Sequence, residues 1–233
     1  MAIKREFVKS GIPGLDEILG EGLRRGTIAT LSGSTGSGKS TFGMQFLVNG
    51  ALKYKEAGLY ICIEESKGSM YANMSGYSWD LDKLEKNKQF VFLDYPIFEV
   101  DQFLDQNGAI MEIINTMDIK RVVIDSVMPI ALHFPAEDER KKGFLKLIDN
   151  IRKWGTTTMI LSEDTPATTQ DILPDTKYGV ETFTDGWIHI YYLYSPKEKE
   201  RTRAVEVLKY KGVAHSSKIY PAEITNEGFI IHI

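Results

Sequence analysis

Residues 33–41 read GSTGSGKST, between an apolar run, TIATLS at 27–32, and a stretch in which Phe42, Phe46 and Leu47 share one helical face. The spacing is G-x-x-x-x-G-K-[ST], and its physics is specific. Gly33, Gly36 and Gly38 let the backbone curl until its N–H groups point inward at an anion, with Ser34, Thr35, Ser37 and Thr41 completing the loop. The helix that follows adds the positive end of its dipole. Lys39 then reaches the β- and γ-phosphates of a bound nucleotide, and the Ser40 hydroxyl is placed to ligate Mg²⁺.

The strand–loop–helix unit does not stand alone. LYICI (59–63), FVFLDY (90–95), RVVID (121–125) and TTMILS (157–162) are further apolar strand candidates, separated by helical stretches. In one of these Phe144, Ile148 and Ile151 share a face, with Lys and Arg opposite. Such alternation predicts an α/β fold, its central sheet mainly parallel and flanked by helices. After about residue 186 the pattern changes. GWIHIYYLY, RTRAVEVLKYKG, KIYPAEIT and GFIIHI read as consecutive strands, an antiparallel continuation of the sheet. Without an internal repeat or a long linker, the 233 residues are expected to form one domain, 1–233. The long irregular stretch 163–186 is of a length that is often functional.

In a parallel sheet the strand ends emerge at the same carboxyl edge as the phosphate loop. RVVIDS brings Asp125 there, the acid needed to hold the metal directly or through water. LYICIEES delivers Glu64 and Glu65 together, although adjacent like charges repel and desolvate poorly. Either the strand simply emerges into water, or a carboxylate there orients or deprotonates a water that attacks the γ-phosphate.

Composition narrows the function classes. Hydrophobic residues make up 42% and charged residues 26%, ordinary for a soluble globular protein. A net charge of −4 disfavours a general nucleic-acid coat. The single cysteine, Cys62, permits no internal disulfide, and His133, His189, His215 and His232 have no metal-ligand spacing. No run approaches ~18 apolar residues, and MAIKREFVKSG lacks an apolar signal core, so a cytoplasmic protein without a membrane segment is expected.

With those residues in place, the sequence resembles the KaiC/RadA branch of the RecA-like ATPases, specifically a single KaiC-type domain. The resemblance runs through SGIPGLDEILGEGLRRG (10–26), EES (64–66), VVIDS (122–126), VETFTDGWIHI (180–190) and LKYKGVAHSSKIYPAEITNEGFII (208–231). It implies ATP or ADP with Mg²⁺, bound between neighbouring subunits of a homo-oligomeric ring, usually a hexamer, with Glu64 and Glu65 as the water-activating pair. It also implies that Lys209, Lys211 and His215 reach the neighbour's phosphates. Lys211 stands where the family usually carries Arg, and a point charge without the bidentate fork points to slow turnover. Lys-x-Lys on a late strand is also what a solvated sheet edge carries. Within GYSWDLDKL (76–84), Tyr77 lies where the family places aromatic contacts to adenine, with Trp79 the alternative.

Three function classes follow. The first is a slowly ATP-hydrolysing ring that acts as a switch or scaffold, with hydrolysis timing an interaction with an unidentified protein partner. The second is a recombinase-like DNA-binding ATPase. Its DNA-facing segment would include 163–185, where Glu163, Asp164, Asp171, Asp175, Glu181 and Asp185 oppose only Lys177, which repels a phosphate backbone. The third is an autophosphorylating Ser/Thr kinase. Clock members of the family modify an adjacent Ser-Thr pair, and the matching positions here are Glu181 and Thr182, while Thr165, Thr168 and Thr169 read as polar loop residues. The switch is the expectation.

Overall fold

The computed structural model describes residues 6–96, 99–164, 173–174 and 176–233. A short antiparallel pair, β1 (Phe7–Val8) and β2 (Leu23–Arg24), brackets the helical turn α1 (Leu15–Ile18). Then come β3 (Ile28–Gly33), α2 (Lys39–Tyr54), β4 (Ala57–Cys62), α3 (Lys67–Met74), α4 (Leu81–Lys86) and β5 (Phe90–Asp94). The middle of the chain forms α5 (Val100–Asp105), α6 (Asn107–Thr116), β6 (Ile119–Asp125), α7 (Met128–His133), α8 (Glu137–Trp154) and β7 (Thr157–Glu163). A 3-10 turn, Val180–Phe183, leads into β8 (Gly186–Ser195), β9 (Glu200–Tyr210), β10 (Tyr220–Thr225) and β11 (Gly228–Ile231).

Nine strands form one sheet in the order β11-β10-β9-β8-β3-β7-β6-β4-β5. From β8 to β5 every pairing is parallel, and from β8 through β9 and β10 to β11 every pairing is antiparallel. The α/β architecture expected from the sequence is therefore the one observed. The central strands are apolar throughout because helices cover both faces. On β4, Tyr60 and Cys62 join the core around Phe42, Phe46 and Leu47 of α2, while Leu59 and Ile61 join the one around Phe144, Ile148 and Ile151 of α8. No helix among the described residues is long and apolar enough to cross a membrane.

Two strand ends differ from the sequence reading, and both matter to the site. β4 stops at Cys62, so Glu64 and Glu65 lie beyond the ladder. β9 stops at Tyr210, which leaves Lys211 in the following turn with its N–H on the Asp185 carbonyl at 2.8 Å. The loop residues Thr165, Thr168 and Thr169, with Asp171 and Asp175, lie outside the described residues.

One strand residue breaks the apolar rule. Arg121 of β6 is fully buried between the sheet and α2. Its Nε and Nη2 meet Glu56 Oε2 at 2.8 and 2.6 Å, Nη1 donates to the carbonyls of Ser10 and Phe46, and Nη2 donates to that of Lys9. At Gly50 of α2 a Cβ would lie 2.5 Å from Arg121 Cδ, so glycine is what lets the helix pass. Burial lowers the guanidinium pKa, and Glu56 opposes that shift. Removing Arg121 takes the donor from three carbonyls and leaves Glu56 with Arg25, at 2.8 Å, as its remaining ion pair among the described residues. Arg121→Ala is expected to cost about 3–5 kcal/mol in urea unfolding, and a loss below 1 kcal/mol would reduce the clamp to a surface-grade ion pair.

Candidate nucleotide site

The glycine-rich segment spans the gap between β3, which ends at Gly33, and α2, which begins at Lys39. Gly36 and Gly38 adopt φ of 80° and 105°, a left-handed region that side chains resist. At Gly38 a Cβ would also sit 2.5 Å from Cδ1 of Ile224. The loop is braced from outside by Arg203 of β9. Its Nε donates to the Ser37 carbonyl and its Nη2 to that of Gly36, both at 2.9 Å, with the guanidinium stacked 4.4 Å from the Tyr192 ring. Lys39 Nζ donates to the carbonyls of Gly33 at 2.8 Å and Ser34 at 3.1 Å, so the ammonium lies inside the loop. Burial lowers its pKa, and Asp125, Glu163, Asp164 and Glu64 pull in the opposite direction.

Asp125 ends β6 directly across from Cys62 of β4. Its Oδ2 accepts from the Ser40 hydroxyl at 2.7 Å and from the Tyr60 phenol at 2.5 Å. A buried carboxylate held by two hydroxyls, with an ammonium nearby, is a hard-oxygen arrangement that suits Mg²⁺. Burial raises the Asp125 pKa, while Tyr60, Ser40 and Lys39 lower it. Tyr60 was not a candidate from sequence. Within LYICI it reads as a core aromatic, and only the period of two, which turns Tyr60, Cys62, Val123 and Asp125 toward one face, could have signalled it.

The adjacent glutamates part company. Glu64 lines an open cleft of about 590 Å³ together with Thr35, Lys39, Ser40, Asp125 and Glu163. Ser126 Oγ donates to Glu64 Oε1. Burial raises the Glu64 pKa, the Ser126 hydrogen bond opposes the shift, and Asp125 and Glu163 add to it. Glu65 turns to α3, where its Oε2 accepts from Ser69 Oγ at 3.1 Å and Asn73 Nδ2 at 3.0 Å. Glu163, at the end of β7, is an acid that sequence reasoning had not assigned to this cleft. It accepts from the Thr35 hydroxyl of the loop at 2.5 Å.

Tyr77 borders the far end of the loop, with its OH 3.1 Å from Thr41 Oγ1, and Trp79 stacks on it at 4.4 Å. Lys209, Lys211 and His215 are elsewhere. Gly186 pairs with both Ala29 and Tyr210, so β9 ends level with the amino half of β3. Four strand residues, roughly 13 Å, separate that row from Gly33. Lys209 Nζ donates to the Glu181 carbonyl at 2.7 Å, and Lys211 Nζ lies 3.7 Å from Asp185 Oδ1. His215 Nδ1 is 3.0 Å from the Ser216 carbonyl. None of the three contacts the phosphate loop of its own chain.

Because the folded pKa of Asp125 lies above its unfolded value, the folded state binds that proton more tightly. This group's contribution to stability therefore falls as pH rises through the interval between those two values. At neutral pH the anion is a cost, which Asn avoids by imitating the protonated form. Asp125→Asn is expected to raise the Tm of the nucleotide-free protein by a few degrees while weakening Mg²⁺-dependent nucleotide binding. A lowered Tm would mean that the hydroxyls and Lys39 more than offset the burial.

Comparison with known proteins finds relatives over nearly the whole chain. The family model described as ATPase: KaiC matches residues 8–233. A KaiC-like protein of the hyperthermophilic archaeon Pyrococcus horikoshii has a crystal structure that superposes with a TM-score of 0.83 at 34% identity, covering 99% of this chain and 100% of that one. A UPF0273 protein of Methanocaldococcus jannaschii is 31% identical, over 97% of this chain and 96% of its own length. The circadian clock oscillator protein KaiC of Parathermosynechococcus lividus is 33% identical over 96% of this chain, which spans only 42% of that longer protein. A phosphate-type loop on a mainly parallel sheet, matched by a family model over almost its whole length, makes this chain a member of the KaiC ATPase family.

Proposed function

We propose that the protein hydrolyses ATP slowly with Mg²⁺, at sites completed by a neighbouring identical subunit, and that it works as a nucleotide-dependent switch. The observation that carries this reading is the convergence of Lys39, Ser40, Asp125 and Glu64 on one cleft at the carboxyl edge of the sheet. The loop amides from Gly33 to Thr41 and the Lys39 ammonium hold the phosphates, and Tyr77 is the aromatic contact for the base. Ser40 and Asp125 hold Mg²⁺, which when bound neutralises phosphate charge and orients the terminal group. Glu64 orients the attacking water and accepts its proton, and a carboxylate raised by burial is better suited to that task than an exposed one. Glu65, hydrogen-bonded to α3, orders the strand end beside it.

Lys209, Lys211 and His215 act on the neighbour's phosphates in this scheme. Their distance from the loop of their own chain supports that assignment, since cations on the opposite edge have no task at their own nucleotide. A ring, usually of six in the family, supplies the required contact. The acidic segment argues against a DNA-bound role. Glu163 and Glu181 would stand against a phosphate backbone that requires cations, while Asp164 and Asp185 are buried.

Glu64→Gln should lower turnover by about 10²–10⁴-fold while ATP still binds, and Glu65→Gln should do much less. Parent-rate hydrolysis by Glu64→Gln would remove the base from the scheme. Light scattering with and without Mg-ATP tests assembly.

Subunit mixing tests the trans assignment. Lys211→Ala and Glu64→Gln chains, each inactive alone, should regain activity when co-assembled, because some interfaces pair an intact glutamate with an intact lysine. Absence of recovery in proven mixed assemblies would return Lys211 to its own subunit.

A further inference from the structure

Asp185 precedes β8, and its side chain is 7% exposed. Oδ2 accepts the Ile28 N–H at 3.1 Å. Two cations converge on the same carboxylate from different elements. Arg152, in the last turn of α8, brings Nη2 to 3.3 Å from Oδ1 and Nη1 to 3.5 Å from Oδ2. Lys211, in the turn after β9, approaches Oδ1 at 3.7 Å. Both cations are about half exposed, at 47% and 53%. Lys209 stands beside them, its ammonium on the Glu181 carbonyl, and the Glu181 carboxylate is taken by Thr176.

A buried carboxylate requires a counter-charge, but one is enough. The guanidinium is the better placed of the two. It is permanently charged, its planar fork reaches both oxygens, and its contacts are the shorter ones. Lys211 lies beyond hydrogen-bond distance on a flexible stem. We propose that Arg152 is a positioning residue: by serving as the main counter-ion of Asp185 it leaves the Lys211 ammonium only loosely paired, at 3.7 Å, and available to an anion outside its own subunit. This rests on the trans-acting reading of Lys211 and adds its control. Without Arg152, the need of Asp185 for a cation falls on Lys211, which is drawn down and withheld. A purely structural tie between α8 and β8 would lower stability when cut, but it would leave the labelling of Lys211 unchanged.

The test has two readouts. In the nucleotide-free protein, acylation of Lys211 by an amine-reactive ester, followed by mass spectrometry, reports whether its ammonium is paired. Arg152→Ala should slow labelling several-fold, and adding Asp185→Asn should restore it. ATP turnover should follow the same order: Arg152→Ala falls several-fold toward the level of Lys211→Ala, Arg152→Lys lies between, and Arg152→Ala with Asp185→Asn recovers. Thermal melting establishes that each variant is folded, and Arg152→Lys carries the test if Arg152→Ala is not. Unchanged labelling in Arg152→Ala, or slowed labelling that Asp185→Asn fails to restore, would overturn the inference. Parent-like turnover in Lys211→Ala would instead overturn the trans-acting reading. Impaired Lys211→Ala beside unimpaired Arg152→Ala would overturn only the role of Arg152.

Discussion

Cys62 pairs with Asp125 across β4 and β6, and Gly33 pairs with Glu163 across β3 and β7. That parallel register brings the phosphate loop and its acids to one edge and holds them there. The electrostatic consequence is a conflict. Glu64, Asp125, Glu163 and Asp164 all act on Lys39, and Lys177 adds a second ammonium only at the outer side, 3.9 Å from Glu163. Two like charges ~6 Å apart repel by roughly 3 kcal/mol at an effective dielectric of 20. The apolar faces of β4, β6 and β7 hold the acids in place against that repulsion. Two unlike environments result. Asp125 is balanced by the hydroxyls of Ser40 and Tyr60, and Glu64 by that of Ser126. Each anion is thereby left poised for a cation or a proton.

The lead-in segment 10–26 has a physical task that its motif does not announce. Arg121 holds the carbonyls of Lys9 and Ser10, and Asn49 of α2 donates to the Gly11 carbonyl at 2.6 Å. Ile231 of the last strand donates to Pro13, and Ser216 donates to Ile18. One segment thus joins the phosphate-loop helix, the C-terminal hairpin and the turn that follows Lys211. Any shift of α2 on nucleotide binding would be carried along these bonds to the region holding Lys211 and His215.

The strands were legible because burial on both faces writes them as unbroken apolar runs, and the loop because only glycines tolerate its backbone. What stayed hidden depends on partners distant in sequence. Nothing in EES says that Ser69 and Asn73 will capture Glu65 and leave Glu64 in the cleft. Tyr60 looks like any core aromatic until Asp125 is opposite its hydroxyl, and Arg203 looks like strand decoration until its fork meets the loop carbonyls. Arg152 and Asp185 are 33 residues apart and meet only because α8 ends at the amino edge of β3. Lys209 and Lys211 read as one strand face, yet β9 ends between them.

The position of that strand end bears on how a switch of this kind would work. A sheet that carries its nucleotide loop at one edge and its surplus cations at the other cannot join the two within a subunit. Identical subunits packed head to tail can, because each heterologous contact brings one edge against the other, and the same contact repeats until the ring closes. Phosphate charge would then become part of the proposed interface, so that ATP and ADP would favour different packings through the charge they present. In the proposed scheme, Lys211 in place of an arginine would strengthen this arrangement as a timer. Its ammonium attracts phosphate but lacks the planar fork that stabilises the spreading charge of the transition state. Binding and assembly would thus be favoured over turnover, lengthening the interval between the two states of the proposed ring.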